Sequence, residues 1–337
     1  TVGTRQGTLR LQNLGLDDVP ERVYNLQTTE KITVKEIYLE NNNLTKLRPT
    51  IGHFVKLYEL KLNDNKLVSL PSTVSMLTNL QLLFLRNNKI KQLPGEIGNC
   101  QAMTVLWLTN NPITALPAEL GLLTNLTDLN IDDTPALNYP PSEVRFKGLK
   151  AMQRFLHPFY KARDTLKLEI VEASLREMPS IGMLQGLTSL QMLSNSISFL
   201  GPGIVRCYDL QKVNLSDNEF EQFPIEVCCL RNLVWLDLSF NRLESLPYDF
   251  RVMTKVRFLS LAHNYIREIP PCIGQLRSLN RLIIDDNFLT HIPPEIDEME
   301  ALTYLNLSSN QLSSLPPSIH LLTCLTRLDV GNNILAE

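Results

Sequence analysis

The chain has 337 residues, and its 32 Lys and Arg against 35 Asp and Glu give a formal net charge of −3. This near-neutral balance contains no run of like charge, so it argues against binding to nucleic acid or to an anionic membrane surface. No apolar stretch approaches the roughly 18–20 residues that a membrane-spanning helix needs, so we predict no membrane span.

A pattern of spaced leucines, L-x-x-L-x-L-x-x-N-x-L-x-x-L-P, recurs along almost the whole chain. Its asparagine position marks each copy, and successive markers lie 23 residues apart, except for one step of 22 and one interruption of 39. A degenerate copy at residues 9–20 precedes the first marker, which makes about fourteen copies. The markers are Asn42, Asn65, Asn88, Asn111, Thr134, Ala173, Asn195, Asn218, Asn241, Asn264, Asn287, Asn310 and Asn333.

A period of about 20 to 29 residues with L-x-L-x-x-N is the signature of leucine-rich repeats. The L-x-L segment predicts a short strand, whose alternation turns Leu83 and Leu85 inward and Phe84 outward. We expect the Asn88 side chain to hydrogen-bond backbone groups of its own and adjacent repeats, and Pro94 to turn the chain. The predicted fold is an α/β leucine-rich repeat solenoid, curved, with a parallel sheet on its concave face.

The 39-residue step contains a predicted helix. Ser142 before Glu143 favours a helix start, and we expect Pro158 to end the helix at His157. An apolar face at helical spacing is formed by Val144, Leu149, Met152, Phe155 and Leu156.

This interruption divides the chain into three predicted parts: a first repeat block at 1–134, a helical insert at 135–165 and a second repeat block at 166–337. We expect the helix to cap the first block, because an exposed solenoid end needs cover. A helix offered to a partner is the alternative. The second block ends in mid-repeat at residues 333–337, so we expect further residues or another chain to cover that end.

The six cysteines predict a reducing, cytoplasmic location. They lie within the repeats, singly or as the pair Cys228–Cys229, and neither chain end carries the clustered cysteines that close extracellular leucine-rich repeat proteins. The pair could serve redox chemistry or bind a metal. We favour the interpretation that both thiols fill space as small apolar side chains.

The 23-residue repeat, extended to L-P-x-x-I-x-x-L, resembles the Ras-group class of intracellular leucine-rich repeats. The clearest matches lie at residues 80–97, 233–250, 256–273 and 302–319. This class includes Ras-pathway scaffolds, polarity proteins such as Scribble and Erbin, and the Roco kinases. The resemblance implies a non-catalytic scaffold in intracellular signalling, and we expect a protein partner, with a small GTPase and a phosphatase as candidates.

Two other functions stay open at this point. The chain could be the recognition region of a larger multidomain signalling enzyme of the Roco type, or a structural subunit of a large stable assembly. All three interpretations place function on a surface, and none calls for a cofactor, a metal or a small-molecule substrate.

The residues free to specify a partner are those that lie between the consensus leucines of the strands. Lys61 and Lys212 are among them. Aromatic residues there have no core to fill, and Trp, Tyr and Arg dominate interface hot spots. The alternative is that the rings only pack against neighbouring repeats. The predicted partner-binding residues are Tyr38, Phe84, Arg86, Trp107, Trp235, Asp237, Phe258, Arg281, Asp285, Tyr304 and Arg327.

The chain carries no phosphate loop, kinase signature or GxSxG motif, so we predict no catalysis. Of the histidines, only His263 lies near a strand edge, with no nucleophile placed to pair with it. We interpret Asp285–Asp286 as charge on the rim of the sheet rather than as a catalytic pair. Residues 255–258 (Lys-Val-Arg-Phe) resemble a phosphatase-docking motif, but Val256 holds a consensus leucine position and is expected to be buried.

Overall fold

The computed structural model describes residues 4–5, 7–26, 32–181 and 184–335, with side chains from residue 7 onward. The chain forms two compact units, Thr1–Tyr160 and Lys161–Glu337, here called unit 1 and unit 2. Each unit has its own sheet, and the strands follow one another in chain order.

Unit 1 contains a seven-stranded sheet in which neighbouring strands are successive in the sequence. The first two strands pair antiparallel, and all later pairs are parallel. The parallel register aligns Ile37, Leu60, Leu83 and Leu106, each at most 1% exposed, in one buried row. The strands are β1 Thr4–Arg5, β2 Thr8–Arg10, β3 Glu36–Tyr38, β4 Glu59–Lys61, β5 Leu82–Phe84, β6 Val105–Trp107 and β7 Asp128–Asn130.

Unit 2 contains an eight-stranded sheet that is parallel throughout. Its first strand begins at Lys167. The strands are β8 Lys167–Glu169, β9 Ser189–Gln191, β10 Lys212–Asn214, β11 Trp235–Asp237, β12 Phe258–Ser260, β13 Arg281–Ile283, β14 Tyr304–Asn306 and β15 Arg327–Asp329.

A 3₁₀ turn follows most strands and returns the chain to the start of the next repeat. Proline stands at the N-cap or the first position of each of the turns named below, because its fixed φ and missing N–H suit the start of a helical turn. In unit 1 these turns are Pro49–His53, Ser72–Met76, Gly95–Asn99 and Ala118–Leu122. In unit 2 they are Pro202–Arg206, Ile225–Cys229, Tyr248–Val252, Pro271–Gln275, Pro294–Glu298 and Pro317–Leu321.

The core of each unit lies between the sheet and the 3₁₀ turns. Leu83 and Leu85 are fully buried, whereas Phe84 between them is half-buried on the open face, as the alternation predicted. Strands β2 to β15 supply one parallel strand for each of the fourteen copies of the repeat. The predicted fold class, a leucine-rich repeat solenoid with short parallel strands, is confirmed.

The marker asparagines form a hydrogen-bonded ladder beneath the strand ends. Asn88 Nδ2 donates to the Leu62 and Leu85 carbonyls, each at 2.9 Å, while its Oδ1 accepts from the Leu67 N–H at 3.0 Å. Each rung thus joins its own repeat to the preceding one. Thr134 replaces the last marker of unit 1, and among the described residues its hydroxyl donates only to the carbonyl of Ile131.

The helix of the insert starts at Ser142 as predicted, but it is interrupted in the middle and ends later than predicted. The insert forms two helices, α2 Ser142–Arg145 and α3 Leu149–Thr165, separated at Gly148, whose φ of +84° only glycine adopts readily. The predicted end at His157 is wrong, because α3 continues through Pro158. A further short helix, α1 Glu21–Asn25, directly follows the degenerate first copy.

Aromatic packing explains why α3 tolerates an internal proline. The missing N–H and the ring of Pro158 weaken one turn. On either side of it, Phe155 and Phe159 lie 5.3 Å apart, and Tyr139 packs on both, at 5.5 and 5.7 Å between ring centroids. Ala162, one turn later, is also buried. Burial on both sides of the proline outweighs the lost hydrogen bond.

Helix α3 packs against the last 3₁₀ turn of unit 1. Gln153 Nε2 donates to the Leu123 carbonyl at 2.6 Å, and Met152 and Leu156 are buried there. A Cβ added to Gly121 would lie 2.6 Å from the backbone nitrogen of His157, so the contact requires glycine at that position.

Replacing Gly121 with alanine is therefore expected to destabilise unit 1 by about 1–3 kcal/mol, since overpacking forces two backbones apart. Urea denaturation measures this change. Gly201→Ala is the matched control, because a Cβ there meets nothing within 4 Å. Equal stability of the two variants would contradict the described packing of α3.

Candidate interaction surface

A continuous row of rings and cations runs along the open face of the unit 1 sheet. It consists of the last residues of β2 to β6, Arg10, Tyr38, Lys61, Phe84 and Trp107, which the parallel register aligns. The Lys61 Nζ lies 4.6 Å from the Tyr38 centroid and 5.6 Å from that of Phe84. Phe84 and Trp107 meet edge to face at 5.0 Å. These five residues are called the unit 1 row.

Polar contacts fix the rings of the unit 1 row. The Tyr38 hydroxyl lies 2.9 Å from Glu36 Oε2 and 3.0 Å from Glu59 Oε2, so it can donate to either carboxylate. Burial and these two hydrogen bonds raise the pKa of Tyr38. Trp107 Nε1 donates to Asp128 Oδ2 at 2.8 Å. The rings are held in place while staying half-exposed.

A second row runs along the open face of the unit 2 sheet, on the first residues of strands β10 to β15. The Lys212 Nζ lies 4.3 Å from the Trp235 ring, and Trp235 stacks on Phe258 at 4.8 Å with an interplanar angle of 6°. Arg281 lies between two rings of the row and contacts Phe258 on one side and Tyr304 on the other. The unit 2 row consists of Lys212, Trp235, Phe258, Arg281, Tyr304 and Arg327.

Tyr304 links the two arginines of the unit 2 row. The guanidinium carbon of Arg281 lies 5.1 Å from its centroid, and that of Arg327 lies 5.0 Å away. Its hydroxyl donates to Asp329 Oδ2 at 2.9 Å, and the same oxygen accepts from Arg327 Nε at 3.0 Å. Burial, followed by the hydrogen bond to Asp329, raises the pKa of Tyr304.

Eight of the eleven predicted residues fall in the two rows, three in unit 1 and five in unit 2. The other three predicted residues lie outside the rows. Arg86 is exposed. Asp237 Oδ1 accepts from the N–H and the hydroxyl of Ser239. Asp285 is half-buried, and burial raises its pKa; its Oδ1 meets no hydrogen-bond donor within the described part of the chain.

The cations of the rows were less visible in the sequence than the rings. Arg10 was missed because it lies in the degenerate first copy, and only the pairing of β2 with β3 reveals its place. Alternation along the strands predicts that Lys61 and Lys212 face outward, but it does not indicate that they contact rings. A cation one strand away from an aromatic residue, 23 positions along the chain, is the signal that would have found them.

Unit 2 carries a further aromatic cluster at the rim where the strands end. Phe240 stacks on His263 at 4.1 Å, and His263 Nδ1 lies 2.6 Å from Asp286 Oδ2. Tyr265 stacks on Phe288 at 6.0 Å. Phe240 has a φ of +54° at a position where most other repeats carry Asn, Asp or Ser. Bulky residues rarely adopt this conformation, so sequence reasoning gave no indication of this stack.

The other features considered in the sequence are metal sites, membrane spans, the cysteines and the phosphatase-like motif. Within residues 4–5, 7–26, 32–181 and 184–335, no group of three His, Cys, Asp or Glu is close enough to hold a metal, and no described helix could cross a membrane. All six cysteines are free, and burial raises the pKa of Cys228 to about 12. Val256, in the phosphatase-like motif, is only 1% exposed, as predicted.

Comparisons with known proteins identify the repeat. A family model described as leucine rich repeat matches residues 185–243, 209–266 and 277–335, and one described as two copies of the repeat matches 78–120. A comparison with curated proteins gives no match.

Solved structures extend the likeness to nearly the whole chain. A leucine-rich repeat protein of Leptospira interrogans is 30% identical, with a TM-score of 0.52, over 96% of this chain and 84% of that one. An internalin of Listeria monocytogenes is 20% identical, with a TM-score of 0.48, over 97% and 87%. With the repeat matched by family models and by a relative at this identity, the chain belongs to the leucine-rich repeat family.

Proposed function

We propose that this chain is a non-catalytic interaction module that binds a protein partner through the open faces of its two sheets. The observation that carries the proposal is the pair of continuous ring and cation rows, the unit 1 row and the unit 2 row. Stacked repeats present an extended surface rather than a pocket, and leucine-rich repeat proteins generally mediate protein–protein interaction.

The chemistry of the rows favours a partner over internal packing alone. Trp107 and Trp235 lie on the face opposite the core and stay half-exposed, although both contact neighbouring rings. Rings held by cations and hydrogen bonds lose little conformational entropy when they bind. Trp, Tyr and Arg are also the residues that carry most of the energy at protein interfaces.

More specifically, we propose that the chain acts in intracellular signalling in the cytoplasm, with a small GTPase or a phosphatase as the candidate partner. Two features support it: the Ras-group form of the repeat and the six unpaired cysteines. The rows provide no enclosed site for a small-molecule substrate, so we assign the chain no catalytic role.

Partner capture from native lysate, read by mass spectrometry, tests the proposal. We expect Trp107→Ala combined with Trp235→Ala to remove bound partners, because each tryptophan is the largest ring of its row. The control combines Tyr208→Ala with Tyr248→Ala, two exposed rings outside the rows. Circular dichroism checks that all variants fold.

The pattern of loss separates the functions. Partners lost only with the tryptophan variant would support binding through the open faces. Partners retained by the tryptophan variant but lost with the tyrosine control would contradict it. One large complex, unaffected by both variants, would instead favour a structural subunit.

A further inference from the structure

The unit 2 row carries cations that have no carboxylate partner. Arg281 is exposed and contacts only the rings of Phe258 and Tyr304, and Lys212 contacts only Trp235, as far as the described residues extend. Cation–π contacts hold these groups in place. They do not supply an acceptor oxygen, so the N–H donors of both side chains stay available.

The two acidic residues on strands β10 to β15 already have donors of their own. Asp237 accepts from Ser239 at 2.9 Å through N–H and at 2.6 Å through the hydroxyl. Asp329 accepts from Tyr304 and Arg327. No ion pair joins either carboxylate to Lys212 or Arg281 within the described residues, so both cations present unpaired positive charge beside the stacked rings of the row.

We propose that the unit 2 row recognises an extended acidic segment of a partner protein, an inference that rests on the proposed function. Arginine binds carboxylates through paired N–H donors, and a guanidinium fixed on a ring is already oriented for that contact. The stacked pair Trp235 and Phe258 lies between Lys212 and Arg281, and it supplies an apolar contact between the two charges.

The length of the row sets the length of the segment. The row crosses six strands, β10 to β15, and strands lie about 4.8 Å apart, so its ends are about 24 Å apart. An extended chain advances about 3.3 Å per residue. Some seven or eight residues of the partner span the row, with carboxylates facing Lys212 at one end and Arg281 near the middle.

The unit 1 row differs in this respect. The Lys61 Nζ lies 3.1 Å from Glu59 Oε1, and Tyr38 contacts Glu36 and Glu59. Its lysine is therefore compensated by Glu59 of the same sheet. Its arginine, Arg10, acts electrostatically on the carboxylates of Glu36 and Glu40. The acidic segment is assigned to unit 2 alone.

Fluorescence polarisation with the intact chain tests this assignment. The probe is a labelled peptide of about ten residues, long enough for the row, in which Glu alternates with Val. Matched peptides carry Gln or Lys in place of Glu. We expect the Glu peptide alone to bind, and to weaken strongly as ionic strength rises from about 0.1 M to about 1 M, where the Debye length falls from about 10 to about 3 Å.

A charge-matched pair of variants locates the site. Lys212→Gln combined with Arg281→Gln is expected to weaken binding of the Glu peptide about tenfold or more, equivalent to about 1.4 kcal/mol per factor of ten. The control, Arg242→Gln combined with Arg277→Gln, removes the same charge from unit 2. Those arginines lie outside the row and pair with Glu219 and Glu298.

The outcomes are distinct. Loss with the row variant and not with the control supports the acidic segment. Absence of binding, preference for the Lys or Gln peptide, or equal loss with the control would overturn it. The lysate experiment with the tryptophan variant tests the proposed function separately. If partners are lost there but the Glu peptide does not bind, the open faces still bind a partner, and only the acidic character of the bound segment is wrong.

Discussion

Replacing Phe250 with alanine is expected to lower the free energy of unfolding by about 3–5 kcal/mol, the usual cost of emptying a buried aromatic site. Phe250 is fully buried on the 3₁₀ turn Tyr248–Val252 and meets Phe223 edge to face at 5.4 Å. Each repeat contacts only its neighbours, so the cavity weakens both interfaces of this repeat. Urea denaturation followed by circular dichroism measures the loss.

The same turn supplies the control for this prediction. Tyr248 is 59% exposed and contacts Arg251 across its ring, so Tyr248→Ala is expected to cost less than about 1 kcal/mol. A loss of similar size in both variants would mean that the turn does not bury Phe250 in the way described.

Replacing Asn241 with alanine is expected to cost about 2–4 kcal/mol, because several buried backbone groups lose their partner together. Its Nδ2 donates to the Leu215 and Leu238 carbonyls, each at 3.0 Å, and its Oδ1 accepts from the Phe220 N–H at 3.1 Å. Alanine offers none of these bonds, and water has little access, since Asn241 is only 6% exposed.

An asparagine on the surface serves as the control for the loss of a ladder asparagine. Asn232 donates to the Tyr208 carbonyl at an exposed site, where water can replace the lost bond, so Asn232→Ala is expected to cost less than about 1 kcal/mol. Thermal or urea unfolding of the two variants gives the comparison. An Asn241 variant as stable as the Asn232 variant would refute the structural role of the ladder.

Most of the fold could be predicted because the repeat contains its own structural rules. Leucines two apart fix the strand and its inner face, as at Leu83 and Leu85, and the following asparagine fixes the bend. The register needed no separate inference, since strands 23 residues apart pair in order.

The insert and the first strand could not be predicted in the same way. The local sequence predicts that a helix ends before Pro158. However, α3 continues beyond it because Phe159 and Ala162 are buried there. Strand β1 lies outside the repeat pattern and pairs antiparallel with β2. Both features depend on contacts that the pattern does not encode.

The candidate site was predictable in its rings and less so in its electrostatics. Alternation along a strand is enough to turn Trp107 and Trp235 outward. Which cations lie against them depends on side-chain directions across repeats, so the contacts of Arg10, Lys61 and Lys212 emerged only with the structure. The partner-binding role of both rows stays a prediction.

Site-specific photo-crosslinking tests the central claim most directly. A photoreactive phenylalanine analogue placed at Asn306, on the open face of unit 2 beside the unit 2 row, is compared with the same group at Ile225, an exposed position on a 3₁₀ turn. We predict that the partner captured from lysate crosslinks to position 306 and not to position 225. Crosslinking at 225 alone would contradict binding through the open face.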